Sequence, residues 1–218
     1  MRPRFAFPLL FFLAAVLAAN STAQQITNDV VIQGASVNDG YGDWLTCGVD
    51  GQVYRHPGGH LTSVMRVSPD GSTLLFRLPE QVYPREIAPA GTGLSILGPS
   101  SKGERSVHVQ MYHFDNQANL MAQSQVTIPI QPTSMAVLPS GRTILAGLSH
   151  DDPQIQDEWK YGFAILDEND KLLRSIDLPL PPGGGGWTFA SSRMAVGNGV
   201  AYVMLHSNEP PQTAIATI

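Results

Sequence analysis

Residues Pro84-Arg85-Glu86-Ile87-Ala88-Pro89-Ala90-Gly91-Thr92-Gly93-Leu94-Ser95-Ile96-Leu97-Gly98 align without a gap to Pro132-Thr133-Ser134-Met135-Ala136-Val137-Leu138-Pro139-Ser140-Gly141-Arg142-Thr143-Ile144-Leu145-Ala146, at a constant offset of 48 residues. A third copy runs from Ser192 to Met204, and a fainter first copy from Trp44 to Tyr54. Each copy reads as a short apolar strand, a tight turn and a second strand. The turns carry Asp-Gly, Thr-Gly, Ser-Gly or Asn-Gly. Glycine there reaches positive φ without steric cost, as hairpin turns require. The turn glycines, Gly51, Gly93, Gly141 and Gly199, are spaced 42, 48 and 58 residues apart.

Between these hairpins lies a second kind of turn: Ser68-Pro69-Asp70-Gly71-Ser72-Thr73, Asp115-Asn116-Gln117-Ala118-Asn119-Leu120 and Asp167-Glu168-Asn169-Asp170-Lys171-Leu172. Strand-like runs flank each one: Val64–Val67 and Leu74–Leu78, Val107–Phe114 and Leu120–Ile128, Tyr161–Leu166 and Leu172–Leu178. One unit is therefore two hairpins, followed by a proline-containing connection (Pro79–Pro84, Pro129–Pro132, Pro179–Trp187). Four strands per repeat of this length is the pattern of propeller blades. A β-sandwich also has short strands and turns, but does not require a gapless internal match. No segment keeps a 3.6-residue apolar period, so few helices are expected.

The expected fold is all-β, a partial β-propeller of about three and a half four-stranded antiparallel blades. The blades fall near residues 44–83, 84–131, 132–190 and 191–218. In the first three units the second turn follows the first by 20, 25 and 29 residues. After Gly199 it would fall beyond Ile218, so Thr213–Ile218 reads as a third strand and truncation at the C-terminus is expected.

The N-terminus reads as an export signal. Arg2 and Arg4 precede the apolar run Phe5–Ala19, and Ser21-Thr22-Ala23 offers cleavage before Gln24. Residues 1–23 are the expected signal peptide and 24–43 a lead-in to the repeat domain. An uncleaved anchor is the alternative. The expected location is secreted or periplasmic, with no stable membrane span after cleavage. Removing the signal leaves 11 basic against 18 acidic residues, a net −7. With no basic cluster to neutralise phosphates, nucleic acid is not an expected partner. The single cysteine, Cys47, permits no internal disulfide and reads as a small buried residue on a strand, with a reactive or intermolecular thiol as the alternative.

The run Met135-Ala136-Val137-Leu138-Pro139-Ser140-Gly141, followed by Phe163-Ala164-Ile165-Leu166-Asp167, resembles the six- and seven-bladed propellers of the NHL, gluconolactonase-like and TolB-like groups. The resemblance covers nearly all of residues 44–218. The gluconolactonase-like group implies a divalent metal held over the channel by Glu, Asn and Asp, making a metal-dependent lactonase or hydrolase the alternative function. No residues here match those ligands; Asn198 and Asp50 serve turns. The TolB-like group implies a protein partner. The leading expectation is a scaffold that binds a protein, glycan or small ligand on its loop face.

Five of the six histidines, His56, His60, His108, His150 and His206, fall in or near connecting segments. His150-Asp151-Asp152 is the densest polar cluster. Imidazole with carboxylate can bind a metal or act as a base, and exposed loops also collect such residues for solubility. The spacing matches no metal motif, so no metal site and no cofactor are assigned. Arg85, Glu86, Ser134 and Arg193 start the expected channel-lining strands, where they face a ligand or cap strand ends with water. Gly183–Gly186 lacks the phosphate-loop pattern and reads as a connection, with Trp187 anchoring it or stacking on a sugar. No catalytic residue is assigned.

Overall fold

The computed structural model describes residues 44–48, 51–56, 62–79, 82–91, 93–102, 106–149, 160–178, 188–189, 194–208 and 211–218. They form four small antiparallel sheets arranged as a four-blade propeller, with no helix among the described residues. Blade 1 is β1 (Trp44–Cys47), β2 (Val53–His56), β3 (Ser63–Val67) and β4 (Thr73–Arg77). Blade 2 is β5 (Glu86–Ala90), β6 (Gly93–Lys102), β7 (Val107–Asp115) and β8 (Leu120–Ile128). Blade 3 is β9 (Ile130–Val137), β10 (Thr143–Ser149), β11 (Lys160–Leu166) and β12 (Leu172–Asp177). In blade 4, β13 (Thr188–Phe189) and β14 (Ala195–Gly197) share one edge of β15 (Val200–Asn208), and β16 (Pro211–Thr217) takes the other. The six runs expected around the second turns coincide with β3, β4, β7, β8, β11 and β12 to within about a residue. The third strand expected in the last unit is β16.

Side chains alternate across a strand, so each blade has two faces. One face of blade 1 carries Tyr54, Val64 and Phe76, which pack on Ile87, Leu94, Ile96, Tyr112 and Phe114 of blade 2. Phe76 and Phe114 meet edge-on, with ring centroids 5.7 Å apart. The other face of blade 2, through Leu97, Val109 and Met111, packs on Met135, Leu145 and Leu166 of blade 3. The far face of blade 3, through Ala136, Ile144 and Phe163, packs on Ala201 and Val203 of blade 4. The inner strands β5 and β9 are close neighbours, as are β1 and β5, and β9 and β14.

The hairpin turns that start at Gly48, Ser68, Asp115, Leu138 and Asp167 share one geometry. The first residue's N–H donates to the carbonyl four residues on, and the fourth residue's N–H donates back to the first carbonyl, at 2.8–3.2 Å. This is a type I turn closed by a left-handed residue. The left-handed position holds Gly51, Gly71, Ala118, Gly141 and Asp170, with φ from 61° to 83°. Asp115 Oδ1 accepts the N–H groups of Gln117 and Asn119, and Asp167 Oδ1 those of Asn169 and Lys171. The Asn119 amide on Oδ2, then the backbone donors, hold the Asp115 carboxyl below its usual range.

The gapless repeat hides a slip of one residue. In blade 2, Pro89 pairs with Leu94. In blade 3, Val137 pairs with Thr143. The first strands therefore match at offset 48 and the second strands at 49, because the blade 3 turn is one residue longer. Gly93 is consequently no turn residue. It lies in β6 beside Asp115, where a Cβ would run into the Phe114 carbonyl. One expected connection is largely strand: Pro132 lies inside β9, beside a bulge that relieves the ladder of its missing N–H. Cys47 lies on β1 as expected but is exposed, because alternation turns it away from blade 2.

These contacts fix two expectations. Gly93→Ala should cost about 3 kcal/mol by overpacking, whereas Gly51→Ala, which meets only open space at φ +76°, should cost about 1 kcal/mol; denaturant midpoints separate them. Because the Asp115 pKa is lowered on folding, its contribution is present above the usual carboxylate range and is lost as pH falls through the folded value. The stability gap between wild type and Asp115→Ala should therefore be open at neutral pH and close in acid, as followed by urea titration at each pH.

Candidate functional site

The histidine left on a strand by the sequence reading, His113, is the centre of the polar constellation among the described residues. It sits on β7 opposite Ser95 on β6. Ser95 Oγ lies 2.9 Å from His113 Nδ1. On the other side, His113 Nε2 lies 2.8 Å from Asp170 Oδ2. The Ser124 hydroxyl on β8 donates to the same carboxylate oxygen. Asp170 belongs to the β11–β12 turn, so the chain of contacts crosses from blade 2 to blade 3.

The turn geometry explains how the carboxylate gets there. At the left-handed position Asp170 has φ 61°, a conformation that L residues other than glycine, asparagine and aspartate rarely take. The equivalent Ala118 packs its methyl on the cluster between blades 1 and 2. The same position of the next turn thus reaches the preceding blade, and in blade 3 it delivers a carboxylate. Strand register gives the neighbouring counterparts of Ser95 and His113. They are Tyr54 and Arg66 in blade 1, and Ile144 and Ile165 in blade 3. In blade 3 both counterparts are apolar, so the serine–histidine pair is not repeated there, and blade 1 has a tyrosine and an arginine in its place.

With the proton on Nε2, His113 donates to Asp170 and accepts the Ser95 hydroxyl. Serine, imidazole and carboxylate then stand in the order used for nucleophilic chemistry. Accessibility decides against that use. Ser95 is only 4% exposed and sits between β5 and β7. The Asp170 side chain is 5% exposed and that of His113 is 27%. A buried hydroxyl meets no substrate, so the arrangement acts as a polar strut that satisfies its own buried groups and joins two sheets.

The residues singled out in the sequence do not gather around it. Arg85 is exposed just before β5, with its N–H on the Leu97 carbonyl at 2.8 Å. Glu86 and Ser134 are buried on the inner strands β5 and β9. His108 pairs with Thr127 across β7 and β8, 2.9 Å apart. His150, Asp151, Asp152, Trp187 and Arg193 lie outside the described residues. Between blades 3 and 4 an open groove of about 470 Å³ is lined by Ile176, Leu178, Leu205, Ile215 and Ile218, with Asp177 among them. Among the described residues no convergent set of polar groups lies in it.

No protein-family model and no curated protein matches the chain. Among solved structures it is similar to a protein of unknown function from Bacteroides caccae, at 9% identity and TM-score 0.40, over 77% of this chain and 57% of that one. It is also similar to a mutant of the Synechocystis apocarotenoid oxygenase, at 15% identity and TM-score 0.39, over 75% of this chain and 38% of that one. The chain thus spans well under two thirds of either protein.

The strut has a test in which the sign of the effect decides. If Asp170 served only its turn, Asp170→Gly would stabilise the protein by relieving the left-handed backbone. The expected result is destabilisation by about 2 kcal/mol, because His113 and Ser124 lose their buried acceptor. A double-mutant cycle with His113→Ala, read by denaturant unfolding, should return a coupling of about 1.5 kcal/mol.

Proposed function

We propose that this chain is an exported propeller scaffold whose activity is binding. The ligand is a protein, a glycan or a small ligand, taken on the loop face at the mouth of the inner strands. The observation that carries this reading is Arg85, exposed at the entry to β5 beside the buried Glu86. A guanidinium at the mouth of a channel is a planar fork of donors, suited to carboxylates and to hydroxyl-rich ligands. The strut supports a scaffold as well, since its buried serine holds sheets together. Export rests on the N-terminal sequence, with the mature chain beginning at Gln24 in the secreted or periplasmic fraction.

The metal-dependent lactonase alternative needs a converging ligand set. Among the described residues no three His, Cys, Asp or Glu side chains come together for one. The loop residues His150, Asp151 and Asp152, with Trp187 and Arg193, stay in the proposal as contributors to the ligand face on sequence grounds.

An array of glycans and acidic peptides probed with the exported chain tests the proposal. The expected result is a saturable hit whose affinity falls about tenfold in Arg85→Ala, the loss of one charge-assisted hydrogen bond. Binding indifferent to Arg85, or lactone hydrolysis that depends on an added divalent ion, would sink it. N-terminal sequencing of the exported product checks the Gln24 start.

A further inference from the structure

The junction of blades 1 and 2 repeats the plan of the strut with one partner changed. Arg66 on β3 corresponds to His113 on β7, since each stands two residues before the first residue of its turn, Ser68 or Asp115. Register makes Phe76 the counterpart of Ser124. Phe76 pairs with Val64 and Ser124 with Met111, each two residues further from the turn. The left-handed turn residue of the next blade is Asp170 at one junction and Ala118 at the other, with φ 61° and 65°. The position that gives His113 a carboxylate therefore gives Arg66 a methyl.

Arg66 is half-buried, and its guanidinium lies over the Phe76 ring, with Cζ 5.8 Å from the ring centroid. That contact uses the face of the cation and leaves its N–H edge. Nε is buried and meets no acceptor among the described residues. The β3–β4 and β7–β8 turns each hold a carboxylate, but both serve their own turns. Asp70 accepts the N–H and the hydroxyl of Ser72, and Asp115 accepts the donors of Gln117 and Asn119. A guanidinium stays charged at every accessible pH, so a buried Nε–H without an acceptor is a cost that an anion relieves.

We infer that Arg66 is a binding site for a small carboxylate, seated between β3 and β4 of blade 1 and the Ala118 turn of blade 2. Nε–H and one Nη–H point side by side, and the two oxygens of a carboxylate match them. The ligand does for Arg66 what Asp170 does for His113. Here the partner comes from solution, so this junction is strengthened only when the carboxylate is present. The site lies toward the turn ends of the strands, whereas Arg85 precedes β5 at the opposite end. The inference is therefore independent of what Arg85 binds.

Acetate is the probe, with chloride at equal ionic strength and pH as the control. In nitrogen-15 spectra of the exported chain, acetate should move the Arg66 Nε–H resonance and saturate. The signal is assigned by its loss in Arg66→Met. The urea midpoint should rise with acetate over chloride in the wild type and not in Arg66→Met. Ala118→Asp keeps Arg66 and puts a carboxylate of the chain itself at a left-handed position that aspartate accepts. That variant should lose the acetate response, because the intramolecular carboxylate competes at high effective concentration. An Arg66 resonance indifferent to acetate would overturn the inference. So would an equal midpoint rise in Arg66→Met, which would mean a general solvent effect, or an undiminished acetate response in Ala118→Asp. Far-UV circular dichroism confirms that the sheets persist; should Arg66→Met lose that signal, the wild-type titration and Ala118→Asp carry the test.

Discussion

A small antiparallel sheet with apolar residues on both faces must be covered twice. That constraint organises this protein. Blade 1 covers one side of blade 2 with Tyr54, Val64 and Phe76, and blade 3 covers the other with Met135, Leu145 and Leu166. No blade has a core of its own. The apolar clusters lie between sheets, and each belongs to two of them. Burial is the dominant favourable term in folding, so the stability of any blade is a property of its neighbours.

Within that stack the Asp170 carboxylate stands out because it departs from two rules at once. It occupies a left-handed position where three sister turns have glycine, and its carboxylate is buried at the junction of two sheets whose packing is mostly apolar. Either departure alone would be a cost. Together they place one acceptor within reach of His113 and Ser124 across a blade junction. A buried polar contact of this kind contributes little net stability compared with a well-packed apolar one, but it penalises every arrangement in which its partners do not meet.

Much of the fold was legible in the sequence because turn chemistry is local. Asp115 and Asp167 announce their turns by capping nearby N–H groups, and the strands on either side follow. The one-residue slip between blades 2 and 3 was not legible. Ile96 and Leu97 are both apolar, as are Ile144 and Leu145, so strands buried on both faces carry no alternation that would fix which residue points which way. Gly93 was read as a turn glycine for the same reason, although close approach to Phe114 is what demands it. The strut was invisible for a different reason. His113 and Asp170 are 57 residues apart, and they meet only because neighbouring blades stack. The one available signal was an aspartate in the turn slot that elsewhere holds glycine or alanine. Glu86 begins β5 with Arg85 just before it, whereas Ser134, expected at a strand start, lies inside β9, whose pairing reaches back to Ile130.

The left-handed turn residue has a consequence for how the blades know their order. Ala118 and Asp170 each reach back to the preceding sheet, and each carries a different chemistry to it. Alanine suits the aromatic surface of blade 1, and aspartate suits the histidine and serine of blade 2. The repeats look interchangeable when written out, yet a blade 3 set on blade 1 would exchange the serine and histidine beside its carboxylate for Tyr54 and Arg66, and a blade 2 set on itself would leave His113 without an acceptor. One position per turn therefore acts as an address, and a repeated architecture acquires a unique sequence of parts.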